Sequence, residues 1–203
     1  MRGVYLVTPN WDDTDRLLDV TGQALREGVA LLQYRHKNAG EALRREQAGA
    51  LLALTRKYGV PLIINDFIAL CEELDADGVH VGGTDISVAA ARSRLGDGKL
   101  VGASCYGDLA LARAAKEQGA SYMAFGGFYP SLVKQYPVTT DPDIVVQAKR
   151  EIDLPCVVIG GMTPENAAPL AARGADMVAA ISSVYLASAP DIAVQKFNQL
   201  FAG

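Results

Sequence analysis

Short apolar runs alternate with longer segments of helical spacing along the chain. Val4–Thr8 predicts a first strand, and Asp13–Arg26 follows with Leu17, Leu18, Thr21 and Leu25 on one helical face. Gly28 closes that helix, and Ala30–Arg35 predicts the second strand. Glu41–Tyr58 predicts a long helix, ended by Gly59 and barred from continuing by Pro61. Leu62–Asp66 is the third strand, Ile68–Leu74 a short helix and Gly78–Val81 the fourth strand. Ser87 can cap a helix through Arg94, and Leu100–Ser104 reads as the fifth strand. Asp108 can cap Leu109–Gln118, which leads to Tyr122–Gly126. After an irregular stretch at 127–140, a helix over Asp143–Glu151 precedes Cys156–Gly160. Thr163 caps Pro164–Arg173, with proline at the first helical position. Met177–Ser182 is the eighth strand and Asp191–Phe201 a closing helix.

The punctuation repeats. Glu27-Gly28-Val29, Tyr58-Gly59-Val60, Gln118-Gly119-Ala120 and Arg173-Gly174-Ala175 each read as a helix end feeding an apolar strand. The strands are too apolar for a sheet with one wet face, so they predict a parallel sheet buried on both faces. Eight strand–helix units favour a closed (β/α)8 barrel, with an open sheet of fewer strands as the alternative. At 203 residues, with 50% hydrophobic and 21% charged positions, the chain fits one domain over 1–203. No linker or shift of composition divides it.

A net charge of −4 argues against nucleic acid or an acidic membrane as partner, because such partners select a basic footprint. A small anionic substrate is compatible, since a basic pocket does not require a basic protein. No apolar run reaches the roughly 18 residues of a membrane span. The first residues read as a strand and lack the apolar core of a signal peptide. Cys71, Cys105 and Cys156 are scattered with no CxxC, which points to reduced thiols in a cytoplasm. Self-association into a homo-oligomer is left open.

The candidate chemistry gathers at the strand ends, where such barrels place their active sites. Past the second strand, alternation sends Gln33, Arg35 and Lys37 to one side and Tyr34 and His36 to the other. An amide, a planar donor fork and a compact cation together suit a polyanion; the plainer reading is a solvated basic turn. Thr8, Asn65, Asp66, Asp85, Ser104, Lys134, Gly160, Gly161, Ser182 and Ser183 complete a polar ring. Asn65-Asp66 with Asp85 offers hard oxygen ligands, and Mg²⁺ typically takes one or two carboxylates plus substrate phosphates. Each aspartate read singly could instead cap a helix. Gly160-Gly161 and Ser182-Ser183 follow the seventh and eighth strands, the usual phosphate position in these barrels. His80 reads as a satisfied core or supporting residue, and Tyr34 and Phe67 as packing.

Several segments together resemble the thiamine-phosphate synthase family. They are Val4-Tyr5-Leu6-Val7-Thr8, Gln33-Tyr34-Arg35-His36-Lys37, Pro61-Leu62-Ile63-Ile64-Asn65-Asp66, Asp77-Gly78-Val79-His80-Val81-Gly82 and Ile159-Gly160-Gly161. The order matches through Ile181-Ser182. The resemblance implies a (β/α)8 barrel that joins a pyrimidine diphosphate to a thiazole phosphate with Mg²⁺ and releases pyrophosphate. It implies that Arg35, Lys37 and Lys134 stabilise the departing pyrophosphate, and that Gln33 and Asn65 hold the pyrimidine diphosphate. Asp66 and Asp85 would hold Mg²⁺, Ser104 would face the pyrimidine, and Gly161, Ile181 and Ser182 would hold the thiazole phosphate. Ser131 keeps a substrate-binding hydroxyl of the family.

Four positions depart from that family's pattern. Val133 stands for a hydroxyl residue, Gly83 for a glutamine, Tyr106 for a histidine and Phe67 for an arginine. Two other readings stand beside it: a related thiazole tautomerase, which shares the barrel and the thiazole-phosphate site but uses a histidine where Tyr106 stands, and a non-catalytic binder of thiamine precursors, motivated by Val133 and Gly83.

Overall fold

The computed structural model describes residues 1–83, 86–131 and 140–202. Eight parallel strands close into a barrel in sequence order. They are β1 (Gly3–Val7), β2 (Leu31–Tyr34), β3 (Leu62–Asn65), β4 (Gly78–Val81), β5 (Leu100–Tyr106), β6 (Tyr122–Gly126), β7 (Cys156–Ile159) and β8 (Met177–Ala180). β1 pairs with β8 from Gly3↔Met177 to Leu6↔Ala180, which closes the ring and excludes the open sheet.

Strand alternation produces two cores. Tyr5, Val7, Leu31, Ile63, Tyr122, Val157 and Met177 fill the barrel interior. Leu6, Leu32, Ile64, Val79, Val101 and Val158 face outward under the helices. This two-sided burial is why the strands read as unbroken apolar runs.

The helices are α1 (Thr14–Leu25), α2 (Glu41–Tyr58), α3 (Ile68–Leu74), α4 (Val88–Leu95), α5 (Leu109–Glu117), α6 (Asp143–Glu151), α7 (Pro164–Ala172), α8 (Ser182–Tyr185) and α9 (Pro190–Asn198). Asp13, Ser87 and Asp108 cap α1, α4 and α5 through their side chains. Thr163 and Asn166 form a reciprocal capping box at α7. Gly28, Gly59, Gly119 and Gly174 all hold positive φ, so each expected break between helix and strand is a left-handed turn.

Most elements begin or end within a residue of the sequence reading, and three differ by more than that. β8 stops at Ala180, and Ser182 opens the short α8 instead of ending the strand. β5 runs on to Tyr106, but its pairing with β6 shifts register between Ser104 and Tyr106. The closing helix ends at Asn198 and tightens into one 3-10 turn over Gln199–Phe201. No helix among the described residues is long and apolar enough to cross a membrane.

Candidate active site

A pocket opens at the carboxyl ends of the strands, where parallel barrels carry their chemistry. Its polar wall consists of Tyr5, Gln33, Arg35, Asn65, His80 and Ser104. Val7, Ala124, Val157, Ile159, Ala179 and Ile181 form the apolar side. The empty space, open solvent at its mouth included, is about 420 Å³. One side polar and the other apolar suits a flat heterocycle carrying charge at one end.

Alternation puts Gln33 and Arg35 into this pocket as expected, and it turns Tyr34 away. The Tyr34 hydroxyl donates to Gln47 on α2 across 3.0 Å, so Tyr34 packs the outer layer. Arg35 is only 7% exposed. Its backbone N–H donates to Thr8 Oγ1 at 2.8 Å, and Thr8 Oγ1 donates to the Arg35 carbonyl at 3.2 Å. The guanidinium is therefore carried by a fixed backbone and aimed from the end of β2. His36, on the opposite side, meets Asp12 at 2.9 Å.

Lys37, Asn65 and Asp66 cluster beside the pocket. Asn65 Nδ2 donates to Asp66 Oδ2 at 2.6 Å, and Lys37 Nζ lies 3.6 Å from the same oxygen. The Lys37 side chain is 54% exposed, so this ion pair contributes little to stability. Asp66 does not cap α3: Phe67 occupies that position and no side chain accepts there. The capping reading of Asp66 is thus set aside. Its backbone sits at φ 64, a left-handed conformation unusual outside glycine and enriched at functional sites. A strained, non-capping carboxylate beside an amide oxygen and a cation fits a hard metal bound together with a polyphosphate. Asp85 and Lys134, as well as Val133, lie outside the described residues.

Gly161 lies two residues past Ile159, a β7 residue that lines the pocket. Its φ is 60, and a Cβ there would stand 2.1 Å from the Pro130 carbonyl oxygen. The glycine is required by the close approach of the segment after β6, a packing reason that stands beside any phosphate role. Asn166 Nδ2 donates to the Gly161 carbonyl at 2.9 Å and holds this turn. Ile181 lines the pocket, and Ser182 begins α8 next to it. The buried Ser183 Oγ has no hydrogen-bond partner among the described residues. Ser131 is partly buried one residue past Pro130.

Of the departures from pattern, two meet in space. Gly83 N–H donates to Tyr106 Oη at 3.2 Å. Phe67 lies under Arg44, whose guanidinium carbon is 3.7 Å from the ring centre. Sequence reading missed Tyr5 and placed His80 only as a supporting residue; both face the pocket. The available signal was alternation along β1 and β4, which puts Tyr5 and His80 on the interior side.

Comparison with known proteins gives the family and agrees with the barrel. The family model described as thiamine monophosphate synthase matches residues 4–184. The chain is 63% identical over 202 residues to a thiamine-phosphate synthase of Janthinobacterium sp. (strain Marseille), covering 100% of this chain and 98% of that protein. It is 49% identical over 202 residues to a thiamine-phosphate synthase of Thiobacillus denitrificans, covering 98% of this chain and 95% of that one. A solved thiamine phosphate pyrophosphorylase from Pyrococcus furiosus superposes with a TM-score of 0.83 at 27% identity, covering 98% of this chain and 94% of that one. A 3-hexulose-6-phosphate synthase shares the barrel alone, with a TM-score of 0.71 at 18% identity over 98% of this chain and 99% of that one.

Proposed function

The chain belongs to the thiamine monophosphate synthase family, and from that premise we propose how its residues carry the reaction. The protein joins 4-amino-2-methyl-5-hydroxymethylpyrimidine diphosphate to 4-methyl-5-(2-phosphoethyl)thiazole, forming thiamine phosphate and pyrophosphate. The bond from the pyrimidine methylene carbon to the diphosphate oxygen breaks, and its electron pair leaves with pyrophosphate. The thiazole nitrogen lone pair forms the new C–N bond, and the ring becomes a thiazolium. No proton is transferred in this exchange, so neither a side-chain base nor a nucleophile is needed.

The demand on the protein is electrostatic, because negative charge builds on the leaving group. Arg35 brings a rigid donor fork from a buried backbone, and Lys37 brings a point charge at the mouth. Lys134 joins them in this reading. Gln33, Asn65 and Ser104 orient the pyrimidine diphosphate. Asp66 and Asp85 would hold Mg²⁺, which when bound supplies Lewis-acid neutralisation of the diphosphate. Gly161, Ile181 and Ser182 hold the thiazole phosphate through backbone N–H groups, with the Ser131 hydroxyl nearby. The three free thiols suit a reducing cytoplasm.

The observation that carries the reading is Arg35 in the pocket wall beside the Lys37–Asp66–Asn65 cluster. The test is to mix the purified protein with Mg²⁺ and both substrates and to measure thiamine phosphate and pyrophosphate together. Equal, metal-dependent formation of both is expected. Binding of the thiazole phosphate with neither product formed would overturn it.

A further inference from the structure

A chain of hydrogen bonds crosses the barrel interior and joins two walls of the pocket. Ser104 Oγ lies 2.9 Å from His80 Nε2. His80 Nδ1 lies 3.1 Å from Tyr122 Oη, and Tyr122 Oη lies 2.6 Å from Tyr5 Oη. Gln33 Nε2 donates to Tyr5 Oη at 2.7 Å. The five residues come from β5, β4, β6, β1 and β2 in turn. Both tyrosines are buried, and burial pushes both phenols well above their ordinary range, so they act as neutral hydroxyls.

The barrel is built around this chain. A Cβ on Gly102 would stand 2.0 Å from Tyr122 Cζ and 2.2 Å from its hydroxyl oxygen. Glycine on β5 thus makes the room in which the Tyr122 hydroxyl reaches His80. The Tyr122 ring stacks on His80 and meets Tyr5 edge-on, each pair with centroids 5.7 Å apart. Both ring geometries hold the hydroxyls in line.

Each hydroxyl carries one hydrogen, which gives the chain a direction. Tyr5 accepts from Gln33, and among the described residues the acceptor in reach of its own hydrogen is Tyr122. Withholding that hydrogen would leave a buried donor unsatisfied. Tyr122 then donates to His80 Nδ1. Neutral His80 consequently carries its proton on Nε2 and donates to Ser104 Oγ. With that direction, the groups left for a ligand at the two ends are the Gln33 carbonyl oxygen and the Ser104 hydroxyl hydrogen, on residues that line the pocket.

We infer that Tyr5, Tyr122 and His80 are positioning residues that set the donor–acceptor polarity of the pocket, fixing Gln33 as an acceptor and Ser104 as a donor. The complementary ligand edge gives a hydrogen to Gln33 and takes one from Ser104. An aminopyrimidine offers both, through its exocyclic amine and a ring nitrogen. This assignment rests on reading the pocket as the pyrimidine diphosphate site. Reversal of the chain would move the His80 proton to Nδ1 and select the opposite ligand edge.

Two measurements test it. In the ¹⁵N-histidine spectrum of the full chain, with His36 identified by His36→Gln, His80 is expected to be neutral with its proton on Nε2. In steady-state kinetics, Tyr122→Phe keeps the ring and removes both central hydrogen bonds. It is expected to raise KM for the pyrimidine diphosphate about tenfold, equal to about 1.4 kcal/mol, while KM for the thiazole phosphate stays within about twofold. Tyr5→Phe should show the same split, and carries the kinetic arm should Tyr122→Phe fail to fold. A His80 proton on Nδ1, or KM values for both substrates that rise together or stay unchanged, would overturn the inference. A protein that forms no thiamine phosphate refutes the proposed function, and the histidine spectrum then still decides the polarity.

Discussion

Tyr106 Oη accepts the Gly83 N–H at 3.2 Å, so two positions that depart from the expected family pattern are in direct contact. Tyr106 holds a left-handed backbone, φ 52, just past the register shift at the end of β5. Its ring reaches over the loop after β4, where a Cβ on Gly83 would lie 3.4 Å from the phenol oxygen. The tyrosine fills the space that a long side chain at 83 would need. Gly83→Gln is therefore expected to lower kcat several-fold, and adding Tyr106→His should restore most of it. Independent, additive losses in the double variant would show that the two positions are not coupled.

Arg35→Ala should reduce kcat/KM by about 100-fold or more, the scale expected when a preorganised donor to a developing anion is removed. The fold should survive, because the ties to Thr8 use the Arg35 backbone. Circular dichroism and pyrophosphate release measured on the same sample check both halves. Turnover within a few-fold of the parent would remove Arg35 from the machinery.

Asp66 separates stability from activity. Asp66→Gly relieves the φ 64 strain and is expected to raise stability by roughly 1 kcal/mol, or about 2–4 °C in Tm for a chain of this size. The same variant should lose turnover. Asp66→Asn keeps a residue tolerant of that backbone and removes the charge, so it should fold normally and require more Mg²⁺ for half-maximal rate. A chelator should abolish product formation by the parent protein, and added Mg²⁺ should return it.

Gly161→Ala is expected to destabilise. The left-handed backbone costs about 1–3 kcal/mol with a side chain, and the new methyl would collide with the Pro130 carbonyl. Thermal melting should fall by several degrees, and KM for the thiazole phosphate should rise more than KM for the pyrimidine diphosphate.

The buried thiols give a pH dependence. Burial pushes Cys71 up to about 11 and Cys105 and Cys156 up to about 12, from an ordinary value of 9.0. The folded protein binds more protons than the unfolded chain between those values. Stability contributed by the neutral thiols is then complete below about pH 9 and declines as pH rises toward the folded values. Urea midpoints should fall between pH 8.5 and about 10.5, less steeply in a triple Cys→Ala variant. The native thiols should also resist a disulfide reagent at pH 8 and react after denaturation.

Much of this protein was set by the sequence alone, because strand burial is a local pattern. Unbroken apolar runs such as Leu62–Ile64, separated by capped helices, require a sheet covered on both faces. Alternation along Gln33-Tyr34-Arg35 already separated the pocket side from the packing side. Tertiary structure decided what alternation leaves open, namely which interior side chains from different strands meet. Tyr5 and Tyr122 are 117 residues apart, and nothing local marks them as partners; barrel closure brings their hydroxyls to 2.6 Å. Chain order also left open whether Asp66 capped a helix or faced Lys37, and in the fold it faces Lys37. The pairing of Gly83 with Tyr106 likewise depended on β5 running on past its last pair with β4, Val81↔Ala103. Such contacts arise from the register of non-neighbouring segments, and chain order carries that register only after the barrel has closed.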